Sequence, residues 1–379
     1  MRLITASLAS SLLLAACSNA DIQTPAVSSD TTLKLTQVVA EAEFPWGMVF
    51  LPNGDLLFTE KEGGLKRVAG GEGTPVAVSG MPEAYTERQA GYLGLALDPD
   101  FGTNRLVYMA YSKGNAADNM TAIIRARLSD DGNALENVTE IFAADTRNTA
   151  LHYGARLQFA ADGTLYATLG DGFAFMDLAQ DPKATHGSVI RINADGSIPE
   201  DNPFADGTVG HPAVWSYGHR NPQGLYYDAD TDTLYSTEHG PKGGDELNLI
   251  RKGANYGWPT VTYGVNYDGT IITSRTEAEG MEQPLTYWVP SIAASGLTRL
   301  TSDVYPGWKG DLFTGGMNGP AGLKLVRIDM EDGKVAGRED LLTGDAEGFP
   351  IRDVIQGPDG HLYIATKDMD GIYRVDVAE

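Results

Sequence analysis

One short unit recurs six times in this chain, and that repetition restricts the fold more than any other feature. Residues 50–60 read FLPNGDLLFTE, 97–111 LDPDFGTNRLVYMAY, 159–171 FAADGTLYATLGD, 227–238 YDADTDTLYSTE, 303–316 DVYPGWKGDLFTGG and 357–367 GPDGHLYIATK. Each opens with a turn built from Asp, Asn or Gly, residues that supply positive φ or local side-chain hydrogen bonds. Each continues as an alternating apolar run, the pattern of a strand half-buried between stacked sheets. The units are spaced by about 45–75 residues, close to one four-stranded blade per repeat. No stretch sustains helical periodicity beyond about ten residues. A β-sandwich with extra hairpins would not need the same hairpin six times. The sequence therefore predicts an all-β fold, a six-bladed β-propeller of four-stranded antiparallel blades. The 45 glycines, spread along the whole chain, agree with many short elements joined by tight turns. Sites on such a fold lie at the mouth of the central channel, on the loops just outside the strands.

The first 33 residues do not share the repeat. Met1-Arg2 is a short basic region and residues 3–14 are apolar or small, which suits a secretory signal and is too short to span a bilayer. The signal ends in Leu14-Ala15-Ala16-Cys17, which looks like a bacterial lipobox. Cys17 is the single cysteine, which excludes a disulfide framework and a thiol nucleophile elsewhere. The expected organisation is a lipoprotein signal peptide over 1–16, lipidation at Cys17, a flexible tether over 17–33 and the propeller over 34–379. Asn19 rather than Asp in the second position after the cysteine points to an outer-membrane anchor facing the periplasm. Several acyl chains on one cysteine give stable anchoring where a single chain is marginal. The formal net charge of −23 repels phosphate backbones, so nucleic acid is not an expected partner.

Four loop segments gather unusual chemistry. In Leu151–Leu157, His152 leads into the third repeat, and Asp171 leaves the same hairpin. Antiparallel strand ends bring such positions together, where a carboxylate orients an imidazole as a base. Ser216–Leu225 carries Arg220, a planar cation suited to a carboxylate or a quinone oxygen, and Asn221. Glu238–Glu246 places Gly-rich backbone beside carboxylates, the donor type that hard cations such as Ca²⁺ prefer. Arg352 precedes the sixth repeat. There is no HExxH or CxxC spacing for zinc and no GxGxxG for a nicotinamide dinucleotide.

In this order the segments PWGMVFLPNGDLLFTE, QAGYLGLALDPDF, GARLQFAADGTLYATLGD, GHRNPQGL, EHGPKGGDELNLI, GANYGWP and IRDVIQGPDGHLYIAT resemble the PQQ-dependent aldose dehydrogenases of the glucose/sorbosone dehydrogenase family, over about residues 44–375. The resemblance implies a propeller with the quinone PQQ in its mouth, His152 as catalytic base, Asp171 as its partner and Arg220 on the quinone. It implies Gln89, Arg220, Asn221 and Arg352 around the cofactor. It places Gly240 and Pro241 on a cofactor-bound Ca²⁺, and Glu246, Tyr256, Tyr267 and Gly269 on a second Ca²⁺. The implied reaction passes a hydride from the anomeric carbon of an aldose to PQQ, yields a lactone, and ends with electron transfer to an external quinone or cytochrome. Two positions depart from the family: Asn318 and Pro350 stand where a lysine and an arginine are common. That predicts a weaker hold on a tricarboxylated cofactor, with Lys324 or Lys242 as candidate substitutes. Tyr287 and Trp288 are candidate sugar-stacking rings. A glycan-binding propeller without redox turnover and a Ca²⁺-dependent lactonase are the competing readings.

Overall fold

Each of the six repeats forms the hairpin between the first and second strands of one four-stranded antiparallel sheet. The computed structural model describes residues 24–318, 322–343, 350–367, 369 and 371–378. Six such sheets make the six blades of a β-propeller. Their innermost strands are Pro45–Phe50, Tyr92–Leu97, Leu157–Phe159, Pro222–Asp228, Leu297–Arg299 and Ile351–Gln356, in blades 1 to 6. Helix is confined to short segments such as the single turn Phe101–Asn104. The residues that begin the innermost strands line one end of the central channel and those that finish them line the other. Register shifts at Pro45/Met48, Tyr92/Leu95, Pro222/Gly224 and Ile351/Asp353 put a bulge near the start of four innermost strands. Bulges re-aim side chains, and here they do so at the mouth.

The blades are stitched together by buried side-chain to backbone hydrogen bonds. Thr59 Oγ1 of blade 1 donates to Leu93 O of blade 2 at 2.6 Å, and Thr121 Oγ1 of blade 2 to Tyr153 O at 2.9 Å. Thr168 Oγ1 reaches Pro222 O at 3.1 Å, Thr237 Oγ1 reaches Ser295 O at 2.7 Å, and Ser295 Oγ reaches Ile351 O at 2.5 Å. The ring closes where Met48 N donates to Asp353 Oδ2 at 3.0 Å. Thr59, Thr168 and Thr237 are the threonines of the repeated strand. Such close approach needs glycine: a Cβ on Gly94 would lie 1.9 Å from Ala155 O, and one on Gly296 would lie 2.2 Å from Asp353 Oδ1.

Blade 6 is completed from the other end of the chain. Leu33–Val39 pairs antiparallel with Gly371–Val377, with Leu33 opposite Val377. Residues 1–16 and Cys17 lie outside the described residues. The described part of the segment expected to be a flexible tether, 24–33, is held against the propeller. Val27 N donates to Arg338 O and Arg338 N to Pro25 O, both at 2.9 Å, along the outer strand of blade 5. Ser29 bonds Glu339 through both its backbone N–H and its hydroxyl. The exposed polar groups of that edge strand attract this docking.

Thr59→Val keeps the side-chain volume but leaves Leu93 O and the Gly47 N–H, which donates to Thr59 Oγ1, unpaired in a dry blade junction. Urea unfolding should show a loss of about 1–3 kcal/mol.

Candidate active site

His152 sits between blades 2 and 3 with its backbone in the left-handed region, φ 52°, followed by Gly154 at 64° and Ala155 at 73°. A non-glycine residue there is strained and is held by its surroundings. His152 N donates to Gln89 Oε1 at 2.8 Å, and His152 O accepts from Arg147 Nη1 at 2.6 Å. Gly154 N donates to Asn221 Oδ1 at 3.2 Å. The backbone is thus clamped from both sides, and the ring is delivered to Asp171, with Nδ1 2.7 Å from Oδ1.

Asp171 is buried, and burial alone would raise its pKa. The hydrogen bond and charge of His152, the Arg220 charge and the Phe173 N–H outweigh that and hold it below the usual carboxylate range. An ionised Asp171 only accepts, so His152 Nδ1 carries the proton and Nε2 keeps its lone pair. The indole Nε1 of Trp258 donates to Asp171 Oδ2 at 2.8 Å and fixes the carboxylate from the far side. Burial and the Arg220 charge pull the imidazole below its ordinary value in spite of Asp171. A neutral, oriented imidazole with one free nitrogen is a general base ready at neutral pH.

Arg220 stands beside the dyad. Its carbonyl accepts from Asp171 N at 2.8 Å, and its guanidinium packs over Trp258 at 5.4 Å. Nη1 donates to His239 O at 3.0 Å and to Gly240 O at 2.7 Å. Asp245 Oδ1 shapes that loop by accepting from Gly240 N at 2.8 Å. One of the two carbonyls expected on the cofactor's calcium is therefore turned toward Arg220.

Beside His152 opens a mouth cavity of about 190 Å³. Lys61, Arg88, Arg352 and Lys367 line it together with Gln89 and Asn221, and no carboxylate does. In a chain of net charge −23 this is a concentrated patch of the opposite sign. Arg352 is buried; burial and the nearby Arg156 pull it down to about 9, the mark of a cation short of counter-charge. Its Nη2 donates to Gln223 Oε1 at 2.7 Å, while its buried Nε has no partner. Trp46 closes the cavity floor, with Arg352 on its ring at 4.9 Å and Arg156 at 4.4 Å. Arg156 is itself held by Asp353 at 2.9 Å. Below this plug the lower channel holds a larger cavity, about 470 Å³, away from the His152–Asp171 pair.

Glu246 and Tyr256 share a narrow cleft with Arg220, Glu238 and Gly240. Burial and the Glu238 carboxylate push Glu246 well above its ordinary value. Asn248 Nδ2 bonds both glutamates, while its buried Oδ1 has no partner. Tyr267 instead places its hydroxyl 3.4 Å from Arg220 Nη2, and Gly269 turns in an exposed loop with open space around it. The structure does not draw these two to Glu246.

Asn318 is exposed, while Pro350 is buried and its carbonyl accepts from Lys367 N at 3.0 Å. The suggested substitutes lie elsewhere: Lys324 pairs with Asp340, and Lys242 bonds Val265 through its backbone. Neither Tyr287 nor Trp288 is free to stack on a sugar. Tyr287 already stacks on Tyr263, and Trp288 is buried under Arg338. The missed residues carry a common signal. Lys61 and Lys367 directly follow or end their repeats, the position that also yields Asp171 and His239.

Residues 42–374 match the Glucose / Sorbosone dehydrogenase family. Aldose sugar dehydrogenase YliI of Escherichia coli (strain K12) is 36% identical, over 91% of this chain and 92% of its own. The apo form of the soluble aldose sugar dehydrogenase from Escherichia coli superposes with a TM-score of 0.84 at 35% identity, over 92% of this chain and 99% of that one. The PQQ-bound form of aldose sugar dehydrogenase from Streptomyces coelicolor does so with a TM-score of 0.75 at 29% identity, over 94% and 100%. The chain belongs to the glucose/sorbosone dehydrogenase family, a family of sugar oxidoreductases.

His152 should titrate below pH 6.5 in imidazole NMR. In Arg220→Gln the titration should move to higher pH, because loss of the neighbouring cation lets the imidazole keep its proton.

Proposed function

We propose that the protein is a PQQ- and Ca²⁺-dependent aldose dehydrogenase that oxidises sugars at the anomeric carbon to lactones. The observation that carries this reading is the neutral His152 dyad set beside a cation-lined cavity in an otherwise acidic protein. The residues fit both groups. A tricarboxylated planar cofactor meets Arg352, whose orphaned Nε lacks a partner, and Lys61, Arg88 and Lys367 around the same cavity. Gln89 and Asn221 would hold its edge. Hard oxygen donors suit calcium: the Gly240 and Pro241 carbonyls beside the cofactor, and Glu246 with Tyr256 for a second ion. A cation there would relieve the crowding of Glu246 against Glu238.

When bound, PQQ supplies the acceptor for the hydride of the anomeric carbon, and Ca²⁺ a Lewis acid beside it. His152 Nε2 takes the proton of the anomeric hydroxyl. Asp171 keeps that nitrogen in its lone-pair form and stabilises the imidazolium that results. Arg220 offers positive charge where negative charge develops. Trp258 and Gln89 hold the dyad still. Electrons leave to an external quinone or cytochrome, and the Leu14–Cys17 box supports export and lipid anchoring at the outer membrane. Cys17→Ser protein that still partitions with membranes would argue against the anchor.

The cations around the cavity weigh against a propeller that merely binds glycans. A lactonase built on a central carboxylate-held metal lacks its ligands, since no carboxylate lines the mouth cavity.

Purified protein given PQQ and Ca²⁺ should reduce a dye with aldoses. His152→Gln should lower kcat on the order of a hundredfold or more. Absence of turnover together with no retained cofactor absorbance would refute the reading. In a direct binding titration, Arg352→Gln should weaken PQQ affinity by about ten- to a hundredfold, the worth of one charge-assisted contact.

A further inference from the structure

Arg147 is a buried cation that the proposed chemistry does not use. It is 3% exposed, it forms no ion pair among the described residues, and its Nε has no partner. A buried guanidinium without a counter-charge costs several kcal/mol, and an apolar side chain of similar length would avoid that cost. What the arginine supplies instead is the 2.6 Å bond from Nη1 to His152 O.

Its surroundings hold it for that bond. Its backbone pairs with Asn119 in both directions, at 2.8 and 2.9 Å. Its guanidinium lies 4.9 Å over the ring of Tyr153, whose hydroxyl bonds Asn119 Oδ1 at 2.6 Å. Its stem passes under Gly172, where an added Cβ would come 3.3 Å from Arg147 Cδ. One side chain therefore underlies both halves of the dyad, the left-handed turn at His152 and the loop that follows Asp171.

We propose that Arg147 is a positioning residue for the His152 base, locking the left-handed peptide of residue 152 from behind so that the imidazole stays on Asp171 with its second nitrogen free. It works as the counterpart of Gln89, which grips the other side of the same residue. Its charge has a second effect. The groups acting on the His152 ring are Asp171, Arg220, Arg147 and His239, with the edge of Phe173 at 5.2 Å. Burial and Arg220 lead in keeping the ring neutral, Arg147 adds to them, and Asp171 opposes.

This inference rests on His152 being the base of the proposed reaction, so its test includes a measurement that needs no turnover. Arg147→Met keeps the length and removes the charge and the donor. In the ligand-free variant His152 should titrate at higher pH than in the parent, by imidazole NMR. In the reconstituted enzyme kcat/KM should fall on the order of ten- to a hundredfold, the scale of a misplaced catalytic group. Arg147→Lys restores the charge and one donor; its His152 titration should return toward the parent and kcat/KM should recover in part. A folded Arg147→Met with parental titration and parental kcat/KM would overturn the proposal. If Arg147→Met does not fold, Arg147→Lys decides: a several-fold lower kcat/KM supports the role, and parental kcat/KM removes it. The titration is read without sugar or cofactor, so failure of the dehydrogenase reading leaves it standing on its own.

Discussion

Six buried hydrogen bonds, one at each blade junction, fix the distances on which everything at the mouth depends. A propeller blade has its own hairpins, but its angle to the next blade is set where the two meet. Here a hydroxyl or carboxylate from one blade reaches a backbone group of the next, in a space so tight that glycine faces the neighbouring chain. The functional consequence is direct. The Tyr153 carbonyl that ends one stitch belongs to the residue after His152, and the Pro222 carbonyl that ends another follows Asn221. The clamps on the base and on Arg220 are extensions of the same junctions. Rigid positioning of the site and integrity of the ring are one problem for this chain.

The charge distribution follows a similar economy. The surface is strongly acidic, while cations converge on the channel mouth from blades 1, 2 and 6. Arg352 and Arg156 share the two faces of Trp46, and only Arg156 has a carboxylate. The lower cation is satisfied by Asp353 and the upper is left to whatever enters from above. A single aromatic ring thereby separates a structural ion pair from a binding charge.

Much of this was legible in the sequence because its causes are local. Turn chemistry lies in four or five adjacent residues, so all six inner hairpins could be read directly. His152 and Asp171 lie at the two ends of one hairpin, and their contact follows from antiparallel pairing. The rest depends on partners far apart in the chain. Lys61 and Lys367 meet at one cavity from a separation of 306 residues, and nothing in either neighbourhood announces the other. The replacement at Pro350 looked like a lost charge because Lys367, bonded to its carbonyl, lies on the adjoining strand. The indole on Asp171 belongs to a loop that could be read only as part of a motif. The segment after Cys17 looked unstructured by composition, yet its described part finds an edge strand more than 300 residues away.

The closure of blade 6 sets an order of events in folding. The first strand, Leu33–Val39, has its partner, Gly371–Val377, at the opposite end of the chain. Pairing across so long a loop brings an entropic cost that local hairpins do not face, and topologies dominated by such contacts fold slowly. Blades 1 to 5 can each assemble from contiguous chain, but the ring cannot shut until the last strand has emerged. Until then the final sheet keeps an open edge, so the newly made chain passes through an interval in which it is exposed to strand pairing with other chains.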